Sequence, residues 1–172
     1  MKLPIAIAAG LLATACATTA RSENVVLAPA ADGARLIETC SRPGPEGVDS
    51  FFEVSPREVT AVESAIMRLL REKAEEYREL QGVQAIFAPF EWPDNPASYT
   101  RAYVGYIVDG ERMVYGDFRP ASTLSTKGDR WATLCDGGSK FFGVEYSLDQ
   151  MKVKRIAFDG SRGGLMFPAI EP

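Results

Sequence analysis

The chain has 172 residues, 46% of them hydrophobic and 24% charged, the proportions of one ordinary globular domain. Its 19 basic and 23 acidic residues leave a net charge of −4, which argues against a nucleic-acid partner and against electrostatic attraction to anionic lipid. It holds no histidine, which removes Ser-His and Cys-His nucleophile pairs, histidine-bearing zinc sites and the commonest near-neutral acid/base.

Met1-Lys2 precedes an apolar run from Pro4 to Ala13, then Thr14-Ala15-Cys16. A lysine, a short apolar stretch and small residues before a cut site read as a secretory signal over residues 1–15. The run is too short for a bilayer, which needs about 20 apolar residues. Leu12-Ala13-Thr14-Ala15-Cys16 resembles a bacterial lipobox, although the position three before the cysteine holds Ala13 where Leu is usual. This predicts cleavage before Cys16, acylation of that residue, and membrane contact through the N-terminal lipid only. Ordinary signal-peptidase cleavage after Ala17 or Ala20, giving a soluble periplasmic or secreted chain, is the alternative. Either cut leaves Cys40 and Cys135 as a pair, and an exported pair reads as a disulfide.

Residues 16–33 read as a lipid-anchored tether or loose N-terminal segment, with a short strand at Val25-Val26-Leu27. Residues 34–172 then form a single domain. Arg35 to Cys40 reads as a strand and Ser41-Arg-Pro-Gly-Pro-Glu-Gly47 as a loop. Ser55-Pro56-Arg57-Glu58 is a capping box with proline at the first helical position. Val59, Val62, Ile66, Leu69, Leu70, Tyr77 and Leu80 follow at helical spacing, which predicts one long amphipathic helix from Pro56 to Leu80. Its charged side reads as a solvated face.

The stretch Ala85 to Pro96 combines three prolines with Phe87, Phe90 and Trp92. Proline excludes a regular helix or central strand there. These rings either close the end of the core or contact a partner. Trp92, between Glu91 and Pro93, is the candidate for exposure.

The rest of the chain reads as strands. Asp109-Gly110 between two alternating runs predicts a type I′ hairpin. That turn sets Val108 opposite Glu111, Tyr106 opposite Met113, Val104 opposite Tyr115 and Ala102 opposite Asp117. On the other face it sets Arg101 opposite Phe118 and lays Tyr103 over Gly116. Further strands are expected at Trp131–Cys135, Lys140–Leu148 and Met151–Phe158, with a turn around Asp149-Gln150. The expected fold is therefore α+β, one long helix across a curved antiparallel sheet of four to five strands, an order shared with cystatin-like folds. One sheet face is expected to be covered.

Tyr99-Thr-Arg-Ala-Tyr-Val-Gly-Tyr106, Asp109-Gly110, Tyr115, Cys135-Asp-Gly-Gly138, Phe142-Gly-Val-Glu-Tyr146 and Phe158-Asp-Gly160 lie in the second half of the chain. Together they resemble a group of small exported bacterial proteins of unknown function. The resemblance implies an exported single domain and supplies no catalytic residue.

Chemistry is sparse. Gly137-Gly138 and Gly163-Gly164 lack the spacing of phosphate-binding loops. Ser125-Thr126-Lys127-Gly128 lacks the order of a penicillin-binding motif. Asp136-Gly-Gly-Ser139 and Asp159-Gly160 read as turns. Asp117 and Glu145 are carboxylates in apolar strands, open to acid/base work or to pairing with Arg101, Arg112 and Arg155 across the sheet. No cofactor, metal ligand set or catalytic residue is expected. The main expectation is an exported, lipid-anchored envelope protein, periplasmic or on the outer membrane. It works by binding another protein or an envelope ligand, an inhibitor role being one form of this. The alternative is a small carboxylate-dependent hydrolase of the envelope.

Overall fold

The computed structural model describes residues 24–73, 98–123, 135–160 and 169–172. Within them the chain runs β1 (Val25–Leu27), α1 (Gly33–Ile37), β2 (Ser50–Phe52), α2 (Pro56–Glu72), β3 (Tyr99–Val108), β4 (Glu111–Pro120), β5 (Phe142–Ser147) and β6 (Lys152–Phe158). The class is α+β, built on an open six-stranded sheet in the order β1-β3-β4-β5-β6. β2 shares the β1 edge of β3, pairing further along that strand.

The β3–β4 hairpin carries the register that its turn dictates. Val108 faces Glu111 and the pairing runs unbroken to Tyr99 opposite Pro120. Asp109 and Gly110 both have positive φ, 51° and 79°, as a type I′ turn requires. Tyr103 packs over Gly116, where an added Cβ would lie 2.9 Å from its ring. β4–β5 and β5–β6 continue antiparallel, with one irregularity between Glu145 and Tyr146.

Three expectations are corrected. The sheet is mixed and six-stranded where an antiparallel sheet of four to five strands is expected, because β1 runs parallel to β3 and β2 joins the same edge. Residues read as a strand at Arg35–Cys40 instead form the five-residue helix α1 and the bend after it. Ala34, Arg35 and Leu36 are good helix formers, and a single turn buries Leu36 against the sheet, which an alternating strand would do less compactly. Finally, the expected long helix is seventeen residues, ending at Glu72 with Lys73 as its C-cap. The remainder of that reading, and Trp131 to Leu134 of the expected strand, lie outside the described residues, and Cys135 itself sits in a turn.

α2 begins on the capping box: the Glu58 amide donates to Ser55 Oγ at 3.3 Å, and the Ser55 amide donates back to Glu58 Oε2 at 2.8 Å. Its inner side, Val59, Val62, Ala65, Ile66, Leu69 and Leu70, packs on Tyr103, Val114, Phe118, Phe142, Val144 and Ile156. Phe118 and Phe142 stack at 4.4 Å and Tyr103 meets Phe118 edge-on at 5.9 Å. Such ring pairs add about 0.5–1.5 kcal/mol each beyond their buried area. Ion pairs fasten the helix as well: Arg112 reaches Glu58 at 3.1 Å while lying over the Phe52 ring, and Arg101 reaches Glu63 at 3.0 Å.

The opposite sheet face is covered too. Ala28 and Leu36 are buried there against Ala102, Val104, Tyr106, Met113 and Tyr115, with Val26, Ile37, Val48 and Phe51 packed around them. Ala28 after β1, α1 and the loop from Glu38 to Asp49 thus form a second layer, where the sequence suggests a sheet covered on one side only.

Candidate functional site

The loop after α1 has too few apolar residues to hold itself on the sheet, and it is tied down by polar bonds. Cys40 is joined to Cys135 by a disulfide with 5.4 Å between the Cα atoms. Ser41 accepts at its carbonyl from the Gly160 amide at 3.0 Å, and at Oγ from the Asp136 amide at 3.1 Å. Thr39 Oγ1 donates to the Arg42 carbonyl at 2.7 Å. These bonds fix the backbone so that the Arg42 side chain runs inward.

Arg42 is the centre of a buried charge cluster. Its Nη2 donates to Asp117 Oδ1 of β4, and its Nη1 to Asp159 Oδ1 just past β6. Nε and Nη2 both donate to Tyr115 Oη, at 3.2 and 3.0 Å. Arg119 Nε closes the other side of Asp117. The side chains of Arg42, Asp117 and Asp159 are 6%, 3% and 3% exposed. Gly143 makes the room: a Cβ there would lie 2.5 Å from Tyr115 Oη and 3.0 Å from Arg42 Nε.

The electrostatics follow from this packing. Two guanidinium groups face two carboxylates, so the cluster is neutral as a whole, the condition under which buried charge is tolerable. Burial works against the Arg42 charge, but Tyr115, Asp117 and Asp159 outweigh it and hold the guanidinium firmly protonated. Burial pushes the Tyr115 phenol up to about 12. Burial also raises the Asp159 carboxyl above its ordinary value, against the pull of Arg42.

A second polar group lies beside it on the same face, since Tyr115 and Glu145 are cross-strand partners. Arg155 Nε donates to Glu145 Oε1 at 2.9 Å, and Tyr106 Oη donates to Glu145 Oε2 at 3.0 Å. Arg155 Nη2 also donates to the Gly44 carbonyl of the loop at 3.3 Å. Glu145 therefore pairs with a strand arginine as expected, whereas Arg101 and Arg112 turn to α2 and Asp117 takes Arg42 and Arg119.

Chemically, these acids are engaged. One guanidinium fills the space between Asp117 and Asp159, and the cleft lined by Thr39, Arg42, Asp117, Arg119, Phe141 and Asp159 has a volume of about 10 Å³, room for about one water. Among the described residues no three His, Cys, Asp or Glu side chains are placed to hold a metal ion. No described helix is long and apolar enough to cross a membrane.

Of the residues singled out by sequence, Cys40 and Cys135 are brought together. Cys16, Phe87, Phe90 and Trp92 lie outside the described residues. Sequence reasoning missed Arg42, Tyr115, Asp159 and Gly143. Arg42 sits in a stretch whose Pro and Gly mark it only as loop, and Asp159-Gly160 has the composition of a turn. No local signal joins residues 42, 117 and 159. No family model, curated protein or solved structure matches this chain.

Proposed function

We propose that this chain is an exported, lipid-anchored envelope protein that works by binding another protein or an envelope ligand. The observation that carries the binding reading is the engagement of the sheet carboxylates. Asp117 and Glu145, the acids a hydrolase would use, are each held by arginine, and the space between Asp117 and Asp159 is filled by Arg42. A glycosidase-type pair needs about 5–9.5 Å of open space between its carboxyl groups for substrate or water. The disulfide supports export, because such bridges persist in oxidising compartments. The helix-then-meander order of α2 and β3–β6 supports a cystatin-like arrangement, which by itself assigns no function.

On this reading Cys16 carries the lipid, and Phe87, Phe90 and Trp92 supply the contact surface, Trp92 foremost. The test is affinity purification of the full-length chain from detergent-solubilised native envelope. A stoichiometric partner or ligand is expected with the wild type, and Trp92→Ala is expected to weaken it by about 2 kcal/mol or more, as hot-spot residues do. Hydrolysis of an envelope substrate by the purified chain, abolished by Asp117→Asn, would overturn the reading in favour of the hydrolase.

A further inference from the structure

We infer that the notch beside Asp159 is a built site for a single O–H group, filled by solvent water or by one hydroxyl of a polyol or saccharide. The inference stands on the geometry of the charge cluster and does not depend on the export reading.

Asp159 uses one carboxylate oxygen, Oδ1, to accept from Arg42. The other, Oδ2, is buried and has no hydrogen-bond partner among the described residues. A buried oxygen left in that state is costly, more so when it bears charge, so native proteins fill such positions. The cleft that Asp159 lines has a volume of about 10 Å³, the size of one oxygen-centred donor. Its other polar walls, which include Thr39, Arg42, Arg119 and Asp117, supply both donors and acceptors to a small guest.

Charge and protonation narrow the guest. Arg42, Arg119, Asp117 and Asp159 sum to zero, so a neutral group enters without adding uncompensated charge, whereas an ammonium or an anion would add it. Glu38 also lines the cleft, but from the exposed rim, where solvent screens it. Burial raises the Asp159 carboxyl above its ordinary value, and a carboxyl has an ionised and a protonated state. A hydroxyl serves both: it donates to the ionised oxygen and accepts from the protonated one. An ammonium only donates. A ligand hydroxyl displaces water here only by reproducing those bonds, which an alcohol does and a methyl does not.

The test uses the full chain. Crystals grown without alcohols are expected to show one oxygen about 2.5–3.2 Å from Asp159 Oδ2. In solution, long-lived water–amide cross-relaxation is expected at the Asp159 and Gly160 amides. Asp159→Asn keeps an oxygen for Arg42 but presents an amide NH2 to the notch, and is expected to shorten the water's residence about tenfold. Glycerol is the probe alcohol. Saturable shifts at the same amides, absent in Asp159→Asn, identify an exchangeable hydroxyl site; a retained water signal without such shifts identifies resident water. Both support the inference. A notch without an oxygen and without cross-relaxation, with Oδ2 bonded to a protein atom, overturns it, and the wild-type measurements decide this even if the variant does not fold.

Discussion

Replacing Arg42 by alanine is the sharpest test of what holds the second layer on the sheet. The side chain is 6% exposed and is shared by two buried carboxylates. Asp117 keeps Arg119, but the Asp159 side chain keeps no hydrogen-bond partner among the described residues. Removing one partner of a buried ion pair costs about 3–5 kcal/mol, because the charge left behind stays desolvated. For a domain of this size each kcal/mol moves the melting temperature by about 2–4 °C, so a loss of roughly 6–20 °C is expected at neutral pH. The pH dependence gives a second handle. Burial raises the folded-state Asp159 carboxyl above its ordinary value of 3.8, and Arg42 restrains that rise. A group raised in the folded state contributes stability that is present at acid pH and lost as pH climbs through the folded value. Without Arg42 the folded value climbs further, so the penalty of Arg42→Ala is expected to shrink as pH falls and Asp159 takes up its proton. Thermal unfolding of both proteins, with the disulfide intact, measures this. A cost below about 1 kcal/mol, the range of exposed ion pairs, or a cost flat across the acidic range would refute the reasoning.

Further outcomes are expected elsewhere. Non-reducing peptide mapping should recover Cys40 linked to Cys135, and reduction should cost about 2–5 kcal/mol in an unfolding experiment. Gly143→Ala places a methyl 2.5 Å from Tyr115 Oη and 3.0 Å from Arg42 Nε. Overpacking of this kind costs about 1–3 kcal/mol and should be read by urea unfolding. Ser55→Ala removes the cap of α2, worth about 1 kcal/mol by the same assay. Intact mass of protein from its native membrane should show acylation at Cys16, and Cys16→Ser should release the chain; a wild-type chain beginning at Thr18 or Arg21 would refute this.

What the sequence makes legible follows the range of the forces involved. The β3–β4 register is readable because two residues with positive φ, Asp109 and Gly110, set every pair that follows. The start of α2 is readable because Ser55, Pro56 and Glu58 act on one another across a single turn. By contrast, β2 and α1 span only three and five residues, too short for a period to declare itself, and β1 is legible only through its β-branched Val25 and Val26. Their conformation is decided by what they pack on, which is why Arg35–Ile37 can read as strand and fold as helix. The charge cluster is least legible of all. Arg42 and Asp117 are 75 residues apart and Arg42 and Asp159 are 117 apart, and nothing near any of them marks the others.

The two sheet faces are covered by different means, and the difference explains why charge is buried on one of them. α2 satisfies its own backbone and brings a stripe of Val, Ile and Leu, so packing alone holds it. The loop from Glu38 to Asp49 leaves its carbonyls and amides to be satisfied one at a time, and offers the sheet few apolar side chains. A disulfide and an ion cluster take the place of that packing. Buried ion pairs add little stability compared with hydrophobic residues of the same volume. What they do supply is geometry: the Arg42 fork fits Asp117, Asp159 and Tyr115 in one orientation only. A slipped loop would strand two carboxylates in the interior, so the cluster fixes where the loop lies more than how tightly it is held. The Asp159 notch and the disulfide both sit within two residues of Arg42 in the chain or in direct contact with it. Arg42 is accordingly the residue through which a change at either would reach the other.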